Sequence, residues 1–308
     1  MNPLFRTAVL AVLASTAIII PASAATIIDW ITVGNAGNAA DPLTGYGAVA
    51  TAYQIGEYEV TNAQYAGFLN AVAQTDSHNL YNPDMASHGI TRNSGSGGFN
   101  YSVTSDFENK PVVYVSWFDG ARFSNWLNNG QGNASTETGS YPLNGATSGV
   151  ITVNPAATIR LPSENQWYKA AYYNGASASY SLYPTNSNAI TTADANYDSS
   201  IGHTTDVDHY AGHASAYGTL DQGGNVWEWN DADLGNGWRG VIGGAWNNSA
   251  GVLFSGHGSN FAFPDNEAND IGFRVVRNNL VAVPEPGSVL TMLGLIGCGL
   301  LLRRRTAL

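Results

Sequence analysis

Cysteine is all but missing from this chain. Of 308 residues one is cysteine, Cys298, and it lies close to the C-terminus. The 297 residues before it can form no disulfide, no thiolate metal site and no cysteine nucleophile. Basic residues are scarce as well: 12 Lys and Arg stand against 23 Asp and Glu, a formal charge of −11. Such a surface repels phosphate backbones and anionic headgroups, which argues against nucleic acid as a partner. A fixed-period repeat is absent, and so is any G-x-S-x-G elbow that would seat a serine nucleophile. What the chain has in surplus is carboxylate, which suits hard cations such as calcium.

The two ends read as addresses. The start, MNPLFRTAVLAVLASTAIIIPASAA, carries one charge at Arg6, an apolar run from Ala8 to Ile20, a Pro21 break and small residues at Ala22-Ser23-Ala24. That is the pattern of a signal peptide over residues 1–24, cut after Ala24, so an exported protein is expected. The other end, residues 283–308, has Pro284-Glu285-Pro286, a mostly apolar stretch from Ser288 to Leu302, and Arg303-Arg304-Arg305. The stretch is slightly short for a full membrane span, and the arginines would hold its far end on the cytoplasmic side. This end resembles the PEP-CTERM sorting tail of Gram-negative bacteria. The resemblance implies the export machinery and an exosortase as processing partners, transient anchoring by a transmembrane helix, and delivery to the cell surface or extracellular matrix. Setting aside Arg6 and the three tail arginines leaves eight basic residues, and setting aside Glu285 leaves 22 acidic ones, a balance of −14.

Between the ends, residues 25–280 read as one α+β, loop-rich domain. Three segments share a format in which a short polar residue is followed three positions later by an acid or amide: Thr61 and Gln64, Ser116 and Asp119, Ser163 and Gln166. Each is a capping box that starts a short amphipathic helix. A β-type run, Val112 to Val115, is expected just ahead of the second. Elsewhere Gly, Asn, Ser and Thr dominate, and 35 glycines imply many tight turns.

One stretch raises a chemical question. DQGGNVWEW places Glu228 between Trp227 and Trp229, and the nearest basic residue downstream is Arg239. A buried carboxylate is costly unless something pairs with it. Glu228 therefore points to water, accepts from backbone amides, or binds a metal ion.

In order, the landmarks QIGEYEVTNAQYAGFLNAV, PVVYVSWFDGARFSNWL, RLPSENQWYKAAY, GGNVWEW, RGVIGGAWNN and DIGFRVVR resemble the sulfatase-modifying-factor family, whose founder is the formylglycine-generating enzyme. The resemblance runs from about Trp30 to Arg277 and implies a variant of the C-type-lectin fold. It also implies a structural calcium ion at the DQGGNVWEW segment, held by side chains of Asp221 and Glu228 and by the carbonyls of Gly224 and Val226. Such a mixed oxygen set is what calcium accepts. A second family calcium site would begin at Asn196 and the carbonyl of Tyr197, although the match slips over residues 198–205.

The same resemblance bears on catalysis. The founder oxidises a substrate cysteine with copper held by two cysteines, and the matching positions here are Asn248 and Leu253 in GGAWNNSAGVLFSG. Neither side chain replaces a thiolate toward Cu(I), so formylglycine generation by that route is not expected and no catalytic residue is assigned. Ergothioneine-type relatives bind iron through three histidines, largely on an added helical domain for which these residues leave no room. His203, His209 and His213 are crowded in HTTDVDHYAGHASAYG, but its Gly and Asp residues argue for a loop and not for a helix that would align two imidazoles. Copper and iron are accordingly not expected as cofactors. Two readings stay open: a calcium-stabilised, non-catalytic surface module binding a glycan or an extracellular protein, and a divergent oxidoreductase with a non-cysteine metal site.

Overall fold

The structure is a computed structural model and describes residues 25–278. The signal peptide and sorting tail expected from the sequence lie outside these residues. Among the described residues no helix is long and apolar enough to cross a membrane.

The chain opens with β1 (Trp30–Val33) and β2 (Tyr53–Gly56), then α1 (Asn62–Val72) and the hairpin β3 (Ile90–Gly95) and β4 (Gly98–Val103). Next come α2 (Trp117–Asn128), β5 (Ile159–Arg160), α3 (Glu164–Tyr172) and a small hairpin, β6 (Tyr173–Asn174) with β7 (Ser179–Tyr180). The last third holds β8 (Trp227–Asp233), β9 (Arg239–Ile242), α4 (Ala250–Leu253), β10 (Asn260–Ala262), β11 (Ile271–Phe273) and β12 (Val276–Arg277). The expected α+β, loop-rich character is what is found.

All three helix starts are as expected. Thr61, Ser116 and Ser163 each cap a helix, and Gln64, Asp119 and Gln166 complete reciprocal capping boxes. Each box satisfies two backbone donors that the first turn leaves without partners. The strand expected at Val112–Val115 does not form. Tyr114 is left-handed, with φ of 58°, and one such residue breaks an extended ladder. What remains is a single bridging pair, Thr61 with Pro111, and isolated backbone bonds such as Val112 N to Val60 O at 2.9 Å.

Two four-stranded sheets carry the fold, one in the order β1-β2-β12-β5 and one in the order β10-β9-β8-β11. The chain passes from the second sheet to the first within two residues, Arg274 and Val275, between β11 and β12. β11 lies parallel to β8, with Gly272 opposite Glu228. A Cβ at Gly272 would come within 2.7 Å of Val112 O, so only glycine lets the backbone pack there. The main core is aromatic: Phe68, Phe123 and Phe273 meet edge to face, with centroids 5.4 and 5.3 Å apart along that series. Trp117 and Trp229 are buried in it and donate to Asn230 O at 3.1 Å and Val115 O at 2.9 Å. Those contacts fix β8 against α2 and set the direction of its alternate face.

Candidate cation site and the cavity beside it

Glu228 sits on β8 and not in a loop, so its side chain leaves the face opposite Trp227 and Trp229. It is wholly buried, and so is its partner, Arg274. Arg274 Nε donates to Glu228 Oε2 at 2.6 Å and Nη2 to Oε1 at 2.7 Å, a bidentate pair. Trp167 Nε1 also donates to Oε2, at 2.7 Å. The remaining guanidinium donors reach Gly56 O, Glu57 O and Leu220 O at 3.1, 3.0 and 2.8 Å, so all five are used. The expectation that Glu228 lacks a nearby cation is thus corrected. The cation comes from 46 residues along the chain, brought by the parallel pairing of β8 and β11. Neither water nor backbone amides satisfy Glu228. Burial pulls the Arg274 guanidinium down, but Glu228 and then Glu59 outweigh it and the net shift is upward.

A second polar group adjoins this pair and is not satisfied. Glu59, Asn196 and Asp221 are buried, and Glu59 Oε2, Asn196 Oδ1 and Asp221 Oδ2 have no hydrogen-bond partner. Arg274 Nη2 is 3.8 Å from Glu59 Oε2, close enough for charge attraction but too far for a hydrogen bond. Burial pushes the Asp221 carboxyl up to about 8, with Glu228 and Asp208 adding to the effect and Arg274 opposing it. Burial also pushes Glu59 well above the usual carboxylate range, with the Asp221 charge next in weight. Three buried carboxylates thus face one buried guanidinium.

Asn225 ties this group together. Its Nδ2 donates to Glu59 Oε1 at 3.1 Å, and its backbone N donates to Asn196 O at 2.8 Å. Its Oδ1 accepts from Asn196 Nδ2 at 3.2 Å and from Thr205 N at 2.9 Å. The turn that presents it needs left-handed backbone at Asp221, Gly224 and Asn225, with φ of 57°, 87° and 57°. Asp and Asn tolerate that region better than most side chains. A Cβ on Gly224 would lie 2.2 Å from Asn196 O, so the two segments touch there backbone to backbone. The segments assigned to two separate calcium sites by family resemblance therefore stand against each other. Val226 is buried beside them, and the Tyr197 carbonyl accepts from Ser200 N at 3.1 Å.

An oxygen-only donor set of this kind fits calcium. The orphaned oxygens of Asp221 and Asn196 are what an ion would engage, whereas both Glu228 oxygens are already committed. Among the described residues no group of three or more His, Cys, Asp or Glu side chains is disposed to hold a metal ion. Calcium here would therefore draw on an amide oxygen and on backbone carbonyls as well as on carboxylate.

The same network forms one wall of a cavity of about 490 Å³ whose lining includes His88, Asp106, Lys110, His203, Trp246 and Asn269. Asn196 Nδ2 holds the His203 carbonyl at 2.9 Å, and Asn225 O accepts from Trp246 N at 3.0 Å. Lys110 Nζ reaches the Thr204 carbonyl at 2.6 Å. Of the crowded histidines only His203 faces this cavity. His213 pairs with Asp194 at 3.0 Å, and His209 packs against Tyr210. The helix that would align His209 with His213 is replaced by a three-residue turn, Ala211–His213.

The positions matched to the copper cysteines are structurally committed. Asn248 Oδ1 accepts from Ala245 N at 2.8 Å, and its carbonyl accepts from Asp198 N at 2.7 Å. Leu253 is buried in an apolar cluster with Ala195 and Tyr197. Neither side chain can hold a copper ion in this arrangement.

Three residues central to the site were not singled out from sequence: Glu59, Asn225 and Arg274. Each lies inside a quoted landmark. An arginine among apolar neighbours, as in IGFRVV, signals a buried cation that needs a buried acid, and WEW supplies one.

Comparison with known proteins bears on all of this. Residues 32–279 match the sulfatase-modifying factor enzyme 1-like domain. A hercynine oxygenase of Mycobacterium tuberculosis is 24% identical over 200 residues, 62% of this chain and 40% of that protein, so the match spans less than half of that relative's length. Among solved structures, the crystal structure of CarF superposes with a TM-score of 0.57 at 22% identity, covering 83% of this chain and all of that one. Treponema denticola variable protein 1 gives 0.54 at 22% identity, covering 81% of this chain and 95% of its own. At those identities the likeness concerns the fold.

Proposed function

The chain belongs to the sulfatase-modifying factor family, with the C-type-lectin-like fold of the formylglycine-generating type, and from that premise we propose that it is a calcium-stabilised binding module and not a thiolate–copper oxidase. The observation that carries this reading is the commitment of Asn248 as a turn cap and of Leu253 as core, at the two positions where copper chemistry needs sulfur. The binding surface is the cavity lined by Trp246, Lys110, His88 and His203. An aromatic face beside several hydrogen-bonding groups suits a sugar ring of a glycan or a segment of an extracellular protein.

Calcium would be held by Asp221 and the Asn196 amide oxygen with the carbonyls of Gly224, Val226 and Tyr197, and it supplies positive charge where carboxylates are in excess. Through Asn225 that site is bonded to Thr205 and Trp246, so it braces the cavity wall. Export and surface sorting rest on residues 1–24 and on the PEP-CTERM-like tail, with removal of the tail by an exosortase. Surface protein should then begin at or near Ala25 and end near Pro286 by mass spectrometry. An intact RRRTAL end on surface protein would sink the sorting reading.

The test of the central reading is chemical. The purified protein, supplied with Cu(I), should leave a cysteine-containing sulfatase peptide unchanged, and its metal content should be calcium. Turnover of the peptide would overturn it. A second reading, a divergent oxidoreductase with a non-cysteine metal centre, draws on the 24% identity to a hercynine oxygenase, although among the described residues no three His, Cys, Asp or Glu side chains are disposed to hold a metal ion. Stoichiometric iron or copper in the purified protein would select that alternative.

A further inference from the structure

We propose that Glu59 is a ligand of the calcium site and that Glu228, which the family resemblance puts there, stands outside it. The inference rests on the calcium reading above and changes which carboxylate completes it. Each Glu228 oxygen already accepts a short hydrogen bond from Arg274, and Oε2 takes a third from Trp167. Binding calcium through Glu228 would mean breaking a bidentate pair inside the protein, where a carboxylate and guanidinium freed from each other are both costly. Glu59 is in the opposite position. Its Oε1 is held by Asn225 Nδ2 at 3.1 Å, which fixes the carboxylate, while Oε2 is buried, accepts no hydrogen bond and lies 3.8 Å from Arg274 Nη2.

Among the other free buried acceptors, two belong to the same network: Asp221 Oδ2, four residues before Asn225 in the same turn, and Asn196 Oδ1, on the residue whose carbonyl Asn225 N binds. Asn225 thus links all three, directly or through its own turn. Buried oxygens without partners are rare in folded proteins and call for an ion, a water or a proton. Two carboxylates and an amide oxygen are hard donors, and the two carboxylates carry −2 once an ion displaces their protons. With Arg274 already matched to Glu228, that charge calls for a divalent hard cation. Glu59 also immediately precedes Val60 and the α1 cap, so an ion there would tie the start of α1 to the turn before β8.

Calcium titration by calorimetry, together with melting in chelator, separates the two glutamates. Glu59→Gln should weaken calcium binding by about tenfold or more, because a charged ligand becomes a neutral one. In chelator the same variant should melt at or above the wild type, because a neutral amide avoids the cost of placing an ionisable carboxyl in that buried position. Glu228→Gln should lower the melting temperature in chelator yet keep the wild-type dissociation constant. The inference fails if Glu59→Gln binds calcium as the wild type does, if it melts below the wild type in chelator, or if Glu228→Gln alone loses binding. A wild type that binds no calcium at millimolar concentration would remove the calcium reading itself, and this inference with it. If Glu228→Gln does not fold, the two Glu59→Gln measurements still decide.

Discussion

Two buried polar groups lie side by side in this protein and differ in completeness. At Glu228 and Arg274 every donor and carboxylate oxygen has a partner within hydrogen-bond distance. At Glu59, Asp221 and Asn196 three acceptor oxygens have none. The first group joins the two sheets at the β11–β12 crossover. The second sits where two loops meet, next to a cavity. A closed network fixes a fold, whereas an open one of the same polarity is what a ligand site looks like before its ligand is counted.

The largest way to break this comparison is to open the closed group. Arg274→Met leaves Glu228 buried without its cation and strips three carbonyls of their donor. It should cost about 5 kcal/mol, the upper range for breaking a buried pair, and denaturant melts would show it as partial or complete loss of the folded state. A cost near zero would mean that Glu228 finds water or another partner.

Asp119 sharpens the contrast, being a buried carboxylate with good hydrogen bonds whose nearby cation, Arg122, is paired with Glu137 instead. Ser116 N and Oγ donate to it at 2.8 and 2.6 Å. Burial, and then the Glu267 charge, still push its carboxyl up to about 7 from 3.8. Its folded value lies above its unfolded one, so the folded state holds the extra proton. The stability it contributes is complete below about pH 4 and is lost as pH rises to about 7. The slope should not exceed about 1.4 kcal/mol per pH unit, or about 4 kcal/mol across that window. Asp119→Asn should flatten that part of the stability–pH curve, and equally steep curves for both proteins would refute the assignment.

Glu228→Gln is milder than loss of Arg274, because the amide keeps the shape and one acceptor oxygen. It should cost about 2–3 kcal/mol in urea melts, equally with and without calcium. The smallest effect is expected at Thr205→Val, which removes only the 3.3 Å bond from Oγ1 to Asn225 Oδ1. About 1 kcal/mol should be lost in the same assay, since the backbone N of Thr205 still donates to that oxygen.

Much of this architecture was legible in the chain, and what was legible was local. Capping boxes at Thr61, Ser116 and Ser163 involve residues three apart, so the sequence displays both partners at once. The glycine-rich turn ahead of Glu228 was readable for the same reason. What escaped was long-range. The partner of Glu228 is 46 residues away, and the Asn225–Glu59 bond spans 166 residues. No spacing rule connects such pairs, because sheet order and not sequence distance makes them neighbours. The missing strand at Val112–Val115 is the converse case: β-branched residues favour extended backbone, but a left-handed Tyr114 overrides them locally. The contact between Asn196 and Gly224 likewise could not be read from two segments nearly thirty residues apart.

The measurement that goes straight to the difference between the two groups is the melting curve of the wild-type protein in chelator and in calcium. An ion at the open group should stabilise the folded state by about 2.7 kcal/mol at a hundredfold excess over its dissociation constant, and the curve should shift upward and return when chelator is added again. Curves that superimpose under both conditions would contradict the account, and would leave the free oxygens of Glu59, Asp221 and Asn196 to protons and water.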